Sequence, residues 1–390
     1  MKIANRMDRL SESITIAITT LSKELKAGGK DVLSFSAGEP DFGTPQVIKD
    51  AAIKAMENNE TTYTAVDGTV ECRQAICDKL KRDNGLDYDP SDVIVSVGAK
   101  HSLFNIFQAA VESEDEVIIP APYWVTYPEQ VQYAEGTPVI IDTDDSTEFK
   151  ITPEQLKSAI TSKSKFLVLT TPSNPTGSVY TKEEILALGE VLKGTNITVI
   201  SDEMYEKLMY DGSEFTAVAS VSQDMFDRTI TVNGLSKAVA MTGWRFGYLA
   251  CKDKDLLKAM KKLQSQSTSN INSITQSAAI TALNGSADTE IESMRVEFEK
   301  RRDIAIELVE DIAGLTVVKP NGAFYLFINI KEISNDSMKF CQDLLEQVGV
   351  AVVPGVAFGL EGYFRMSFAT DEATIRDGID RLRQFVENQK

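Results

Sequence analysis

Lys237 heads the residues of this sequence that could do chemistry. It lies in NGLSKAVAMTGWRFG (Asn233 to Gly247), directly after the β-branched run Thr229-Ile230-Thr231-Val232. Such a run reads as a buried strand. A lysine just beyond a buried strand is costly to desolvate; desolvation lowers the ammonium pKa, and a neutral amine attacks carbonyls. Taken alone, Lys237 reads first as a solvated surface lysine, the commoner fate of its type. Ser236 beside it and Arg245 eight residues on are both suited to hold an anion.

Four more apolar runs end in residues of the same kind. Asp92 to Val97 leads into Gly98-Ala99-Lys100, and Glu116 to Ile119 into Ala121-Pro122-Tyr123-Trp124. Lys165 to Leu169 leads into TTPSNPTG, with Asn174 within it, and Asn196 to Ile200 into Ser201-Asp202-Glu203-Met204-Tyr205. A Gly-rich strand-to-helix turn leaves free N–H groups at a positive helix end, which attract phosphate. A plain turn is the commoner case. Five such ends together are harder to dismiss.

An aromatic aldehyde phosphate would use each of them. Lys237 would condense with the aldehyde as a Schiff base, and Asp202 would pair with a protonated ring nitrogen, keeping the ring an electron sink. Tyr205 and Asn174 would bond a ring phenolate, and Trp124 would offer a flat face. Arg245, Ser236 and the amides of Gly98, Ala99 and Lys100 would hold the phosphate. The cofactor expected is pyridoxal phosphate.

The elements that must position these residues can be read from periodicity. Strands alternating with amphipathic helices, such as that carrying Leu103, Phe104, Ile106 and Phe107, imply right-handed crossovers and a mostly parallel sheet covered on both faces. Ligands bind beyond the carboxyl ends of such strands. Upstream, helices are expected over Ile14 to Lys26, Val47 to Asn58 and Val70 to Asn84. Gly38 falls at a turn or a ligand approach, and Tyr63 in an exposed loop. Beyond a long charged helix, Ile291 to Ile312, the tail reads as α+β. Its strands are Leu315 to Lys319, Phe324 to Ile328, Val350 to Val353 and Phe364 to Phe368; its helices are Ser337 to Val348 and Glu372 to Asn388. The expected organisation is an arm with part of a small domain (1–45), a large cofactor-binding domain (46–285) and a small C-terminal domain (286–390).

Bulk composition narrows the classes. A chain of 390 residues, 43% apolar and 25% charged, has the balance of a globular protein. Its net charge of −18 argues against nucleic acid or an anionic membrane as main partner. The four scattered cysteines suggest reduced thiols in the cytoplasm, with neither a zinc site nor a disulfide framework. A single histidine, His101, excludes His-rich metal sites and argues against a Ser-His-Asp triad; it is given no catalytic role. No signal-peptide core and no apolar run of the ~20 residues needed to span a bilayer occurs. VGAKHS lacks the G-x-G-x-x-G of a nicotinamide enzyme.

The motifs SAGEPDF (Ser36 to Phe42), PYWVTYPE (Pro122 to Glu129), SNPTG (Ser173 to Gly177), SDEMYE (Ser201 to Glu206), NGLSKAVAMTGWRFGY, PNGAFY (Pro320 to Tyr325) and FRMSFA (Phe364 to Ala369) are collinear and span nearly the whole chain. In these the chain resembles a class I, fold-type I pyridoxal-phosphate aminotransferase of the bacterial aspartate aminotransferase subgroup. The resemblance implies a seven-stranded, mostly parallel, doubly wound sheet in the large domain. It implies that Arg365 grips the substrate α-carboxylate, helped by Gly38, Trp124 and Asn174, and that Lys237 shuttles the Cα proton. It also implies a homodimer in which Tyr63 reaches the neighbouring subunit's cofactor phosphate, and an arm and tail that close over substrate. For an aspartate substrate, Lys100 would take the side-chain carboxylate with Ser13 and Thr15 as hydroxyl helpers; a solvent-facing Lys100 is the equally weighted alternative. Ser11, where relatives that accept prephenate carry a basic residue, argues against prephenate. The leading expectation is aspartate:2-oxoglutarate transamination. Behind it stand an aromatic or broad-range aminotransferase or a C–S lyase, and far behind, a non-catalytic regulator.

Overall fold

The computed structural model describes residues 1–12 and 14–389. Its main sheet is built from β2 (Val93–Val97), β3 (Glu116–Pro120), β4 (Thr137–Ile141), β5 (Ser164–Thr170), β6 (Thr198–Asp202), β7 (Thr229–Gly234) and β8 (Phe246–Ala250). Before them comes the two-residue β1 (Leu33–Ser34). The order across the main sheet is β2-β8-β7-β6-β5-β3-β4. β7, β6, β5, β3 and β4 pair in parallel, whereas β8 runs antiparallel to both its neighbours, β2 and β7. This is the mostly parallel, seven-stranded α/β sheet expected from the sequence. Its parallel members β6 and β7 are almost wholly buried, as strands covered on both faces must be.

Two strands are not marked in the sequence, for physical reasons. β4 is an edge strand with Pro138 as its second residue and a mixed exposure pattern, so neither a buried run nor an alternation marks it. β8 is fully buried but comes directly after Arg245, so its apolar FGYLA merges with the functional stretch before it.

The sheet places five strand ends on one edge, because β2, β3, β5, β6 and β7 all run the same way. Between β2 and β3 the helix Ala99–Ala110 buries Leu103, Ile106 and Phe107 completely. Each such side chain contributes about 1.5–3 kcal/mol by leaving water. That packing fixes the helix N-terminus at the sheet edge. Helix Val70–Asn84 falls where its pattern predicts, capped by the Thr69 side chain and ended by Gly85 at φ 68°.

Two smaller sheets complete the chain. The first joins β9 (Thr316–Val317), β10 (Tyr325–Asn329), β12 (Val353–Pro354) and β13 (Tyr363–Ser367) in the antiparallel order β12-β13-β10-β9. β11 (Val350–Ala351) instead pairs in parallel with β1, tying the segment that leads to Gly38 into the tail. The expected single strand Val350 to Val353 is therefore two, split between sheets at Val352. Helix Asp288–Glu310 links the parts; on it Arg301 grips Asp41 through Nη1 at 2.8 and 2.9 Å. Next to it, the fully buried Arg302 holds both oxygens of Asp211 at 2.8 and 2.9 Å. Among the described residues no helix is long and apolar enough to cross a membrane, and no group of three or more His, Cys, Asp or Glu side chains could hold a metal ion.

Candidate active site

At the common strand edge lies a cavity of about 340 Å³. Its walls include Thr15, Gly38, Ala99, Lys100, Trp124, Asn174, Asp202, Tyr205, Ser236, Lys237, Arg245 and Arg365 from the expected set. Ser13 lies outside the described residues. Tyr63 is absent from these walls: it is 90% exposed, on the exposed loop expected for it.

Lys237 comes just after β7. Its Nζ donates to the Gly38 carbonyl oxygen, and the Phe324 ring centroid is 6.0 Å away. Desolvation lowers the amine to about 8, with Arg365 and Arg245 pushing the same way and Glu39 and Asp202 opposing. At about 8, roughly a tenth of the amine is neutral at pH 7, against one in a few thousand for an ordinary lysine.

Asp202 ends β6 and is buried. Its Oδ2 accepts the Tyr127 hydroxyl at 2.7 Å and its Oδ1 the Met204 amide at 3.3 Å. Burial raises its carboxyl, opposed by Tyr127, the Met204 amide and Lys237. Three residues on, the Tyr205 hydroxyl lies 2.8 Å from that of Tyr325, and burial holds Tyr205 well above its ordinary range.

At the turn after β2, two features converge. The helix beginning at Ala99 has no side-chain cap, so its first amides have no partner within the helix. Arg245, in the left-handed conformation at φ 57°, donates to the Thr242 carbonyl at 3.0 Å and, weakly, to that of Val97 at 3.5 Å, with no carboxylate partner among the described residues. Glycine makes their meeting possible. A Cβ on Gly98, whose φ is 82°, would lie 2.5 Å from Arg245 Nη2, and one on Gly247 would lie 2.2 Å from the Ala99 nitrogen. The Gly98 amide itself donates to the Ser96 carbonyl at 2.8 Å. Its part in the turn is therefore to make room, and the Ala99 and Lys100 amides, Arg245 and Ser236 remain as donors. His101 accepts the Val97 amide at 3.2 Å, a structural bond in keeping with its lack of a catalytic role.

Arg365, in β13, is 3% exposed. Nη1 donates to Asn174 Oδ1 and Nη2 to the Ser36 carbonyl, both at 2.8 Å, and Nε has no acceptor among the described residues. The guanidinium stands 4.4 Å from the Tyr325 ring centroid and 5.0 Å from that of Phe358. Burial works against its charge, and aromatic faces rather than a carboxylate offset that cost. Lys100 also turns to the cavity, its Nζ 4.9 Å from the Trp124 ring centroid; burial and Arg245 lower its pKa. Lys100 thus lines the cavity and is also exposed to solvent, so both of its expected alternatives stand.

The cavity also holds residues the sequence did not single out: Tyr127, Thr170, Met204, Thr242 and Tyr325. Tyr127 sits three residues after Trp124, across the turn in which its amide bonds the Trp124 carbonyl at 3.0 Å, and that spacing was the available signal. Tyr325 arrives from the tail sheet, and nothing local to it points to the site.

A buried nucleophilic amine, a buried carboxylate and three cationic side chains around one cavity match known proteins along the full chain. The family model Aminotransferase class I and II matches residues 30–382. The chain belongs to this family. An aspartate aminotransferase of Bacillus subtilis is 48% identical, covering 99% of each chain. An aspartate/prephenate aminotransferase of Cereibacter sphaeroides is 45% identical over 98% of each. Among solved structures, aspartate aminotransferase from Thermus thermophilus with maleate superposes with a TM-score of 0.95 at 40% identity, covering 99% of this chain and all of that one. The protein is thus an aminotransferase, and the regulator and nicotinamide readings fall away.

Proposed function

We propose that this aminotransferase converts L-aspartate and 2-oxoglutarate to oxaloacetate and L-glutamate with pyridoxal phosphate as cofactor, in two half-reactions at one site. One observation carries the substrate assignment. Arg365 and Lys100 line the same cavity as Lys237, and neither has a carboxylate partner among the described residues. Two unpaired cations beside a reactive amine suit a dicarboxylic amino acid. The names of the relatives agree, and the Thermus structure is named as one with maleate, a dicarboxylate.

The residues present also fit the cofactor. Arg245 and the Ala99 and Lys100 amides, with Ser236, would hold its phosphate. Asp202 would face its ring nitrogen, Trp124 its ring plane, and Tyr205 with Asn174 its phenolic oxygen. Bound there, pyridoxal phosphate supplies an aldehyde carbon that condenses with amines and a ring that withdraws electrons.

The chain's own groups do the rest. Arg365 fixes the α-carboxylate with its fork, using the Nε that lacks an acceptor among the described residues. Lys100 takes the distal carboxylate, and its four-carbon stem lets it reach that of 2-oxoglutarate, one carbon longer than aspartate. Lys237 Nζ takes the proton from the substrate Cα. Tyr325 and Phe358, packed on the buried Arg365, exclude water from the α-carboxylate pair and strengthen it.

The same reading includes a homodimer, with the exposed Tyr63 reaching its neighbour's phosphate site, and a cytoplasmic location suited to four free, buried cysteines. It divides the chain at residues 45 and 285, supported by the β1–β11 pairing and by Gly285 at φ 91°. A second reading, in which prephenate is also accepted, is favoured by the aspartate/prephenate relatives. Against it stands Ser11, which is exposed and donates its amide to Glu129 at 2.7 Å.

Lys100→Ala tests the assignment. It is expected to lower kcat/KM for aspartate and glutamate by roughly 10- to 100-fold, the loss of one hydrogen-bonded charge, and to leave phenylalanine within a few fold. Equal loss on all three, or none, would remove Lys100 as the distal ligand.

A further inference from the structure

Tyr127 is wholly buried, and its hydroxyl lies 2.7 Å from Asp202 Oδ2 and 2.8 Å from Thr170 Oγ1. A phenol has one proton, and an ionised carboxylate only accepts. With Asp202 ionised, the Tyr127 proton must point to Oδ2, so Thr170 must donate to the Tyr127 oxygen. The three groups form a directed chain, Thr170 to Tyr127 to Asp202, reaching from β5 through the helix Thr126–Tyr133 to β6.

We infer that Tyr127 is the positioning residue for Asp202: its hydroxyl occupies one carboxylate oxygen, favours the ionised form and leaves the other oxygen for the ring nitrogen of the cofactor. This rests on the pyridoxal-phosphate reading above. Burial alone drives a carboxyl toward its neutral form, and a neutral acid cannot pair with a protonated ring nitrogen. Asp202 is in that position, since burial is the largest influence on it. A short hydrogen bond to the charged oxygen counters this.

The chemistry of the donor matters as much as its place. Lysine or arginine at this point would neutralise Asp202 and compete with the cofactor for it. A tyrosine whose own ionisation is suppressed by burial supplies a proton donor without a positive charge, so the full charge of Asp202 stays available. The other groups acting on Asp202 are the Met204 amide and the Lys237 ammonium, with the Tyr205 phenol close by. Lys237 is committed to the aldehyde once cofactor binds, which leaves Tyr127 as the lasting support. The plainer role for Tyr127 is packing, because its ring meets Trp124 edge-on at 5.5 Å.

Tyr127→Phe separates the two, keeping the ring and removing the hydroxyl. The apo forms of wild type, Tyr127→Phe and Thr170→Val are titrated with pyridoxal phosphate between pH 5 and 9 by visible absorbance, and their melting temperatures recorded. Cofactor affinity falls at acid pH as Asp202 protonates. Losing the donor raises the Asp202 carboxyl, so this acid limb is expected to move up by about one pH unit, with about tenfold weaker binding on the limb. Thr170→Val, which weakens the chain at its far end, should move it the same way by less. A lower melting temperature in Tyr127→Phe with affinity and acid limb unchanged would make Tyr127 a packing residue and overturn the inference. Should that variant not fold, an unmoved limb in Thr170→Val would overturn it. Wild type that takes up no cofactor would instead sink the reading beneath it.

Discussion

Lys237→Ala will lose at least about 10⁴-fold in kcat with every amino acid, the upper end of what a general base alone contributes. The loss should be this large because one nitrogen serves twice, as the amine that meets the cofactor aldehyde and as the base at Cα. The structure supplies both needs. Burial and two arginines hold the amine near 8, and its hydrogen bond to the Gly38 carbonyl fixes where it stands. Borohydride treatment of the loaded protein should attach cofactor covalently to wild type and not to the variant. Peptide mapping reads this directly: a variant that still carries the adduct would assign the role to another lysine, such as Lys100, which shares the cavity wall.

Arg365→Ala is the second large effect. Removing one partner of a buried charge pair costs about 2–5 kcal/mol, roughly 30-fold to several thousand-fold in kcat/KM. The loss should be alike for aspartate, glutamate and phenylalanine, since all present the same α-carboxylate. Arg365→Lys should recover only part of it, because an ammonium keeps the charge and loses the two-pronged fork. The side chain is already held in place by Asn174, the Ser36 carbonyl and the flanking rings of Tyr325 and Phe358. A selective loss of aspartate would mean that Arg365 and Lys100 had exchanged roles.

Much of this site was legible in the sequence because parallel strands announce themselves. Runs such as VIVSV and TITV are buried on both faces, and the residues just past their carboxyl ends gather at one edge by topology. Lys237, Asp202, Asn174, Trp124 and the turn at Gly98 are brought together in this way by strand pattern alone. Helices with clear ends were equally readable, and Ser337–Val348 falls between Asp336 as cap and the left-handed Gly349, as its pattern predicts.

The residues that stayed hidden depend on contacts distant in sequence. Arg365 and Tyr325 enter the cavity from neighbouring strands of the tail sheet, paired so that Phe327 faces Arg365, and no local pattern directs either one to Lys237. Arg365 was found only through resemblance, and Tyr325 not at all. Tyr127 offered only its three-residue spacing from Trp124, and it is the closeness of its hydroxyl to Asp202 that sets it apart. The Gly98 amide shows the converse. Its sequence position suggested a phosphate donor, but the chain spends that amide on the Ser96 carbonyl and uses the glycine for clearance.

The most direct test is a half-reaction measured without the second substrate. Protein loaded with pyridoxal phosphate is mixed with a single amino acid, and the visible band is monitored in time. L-Aspartate and L-glutamate should bleach it rapidly, oxaloacetate or 2-oxoglutarate should restore it, and phenylalanine and alanine should bleach it much more slowly. Bleaching by phenylalanine as fast as by aspartate, or none by aspartate, would contradict a dicarboxylate-specific aminotransferase.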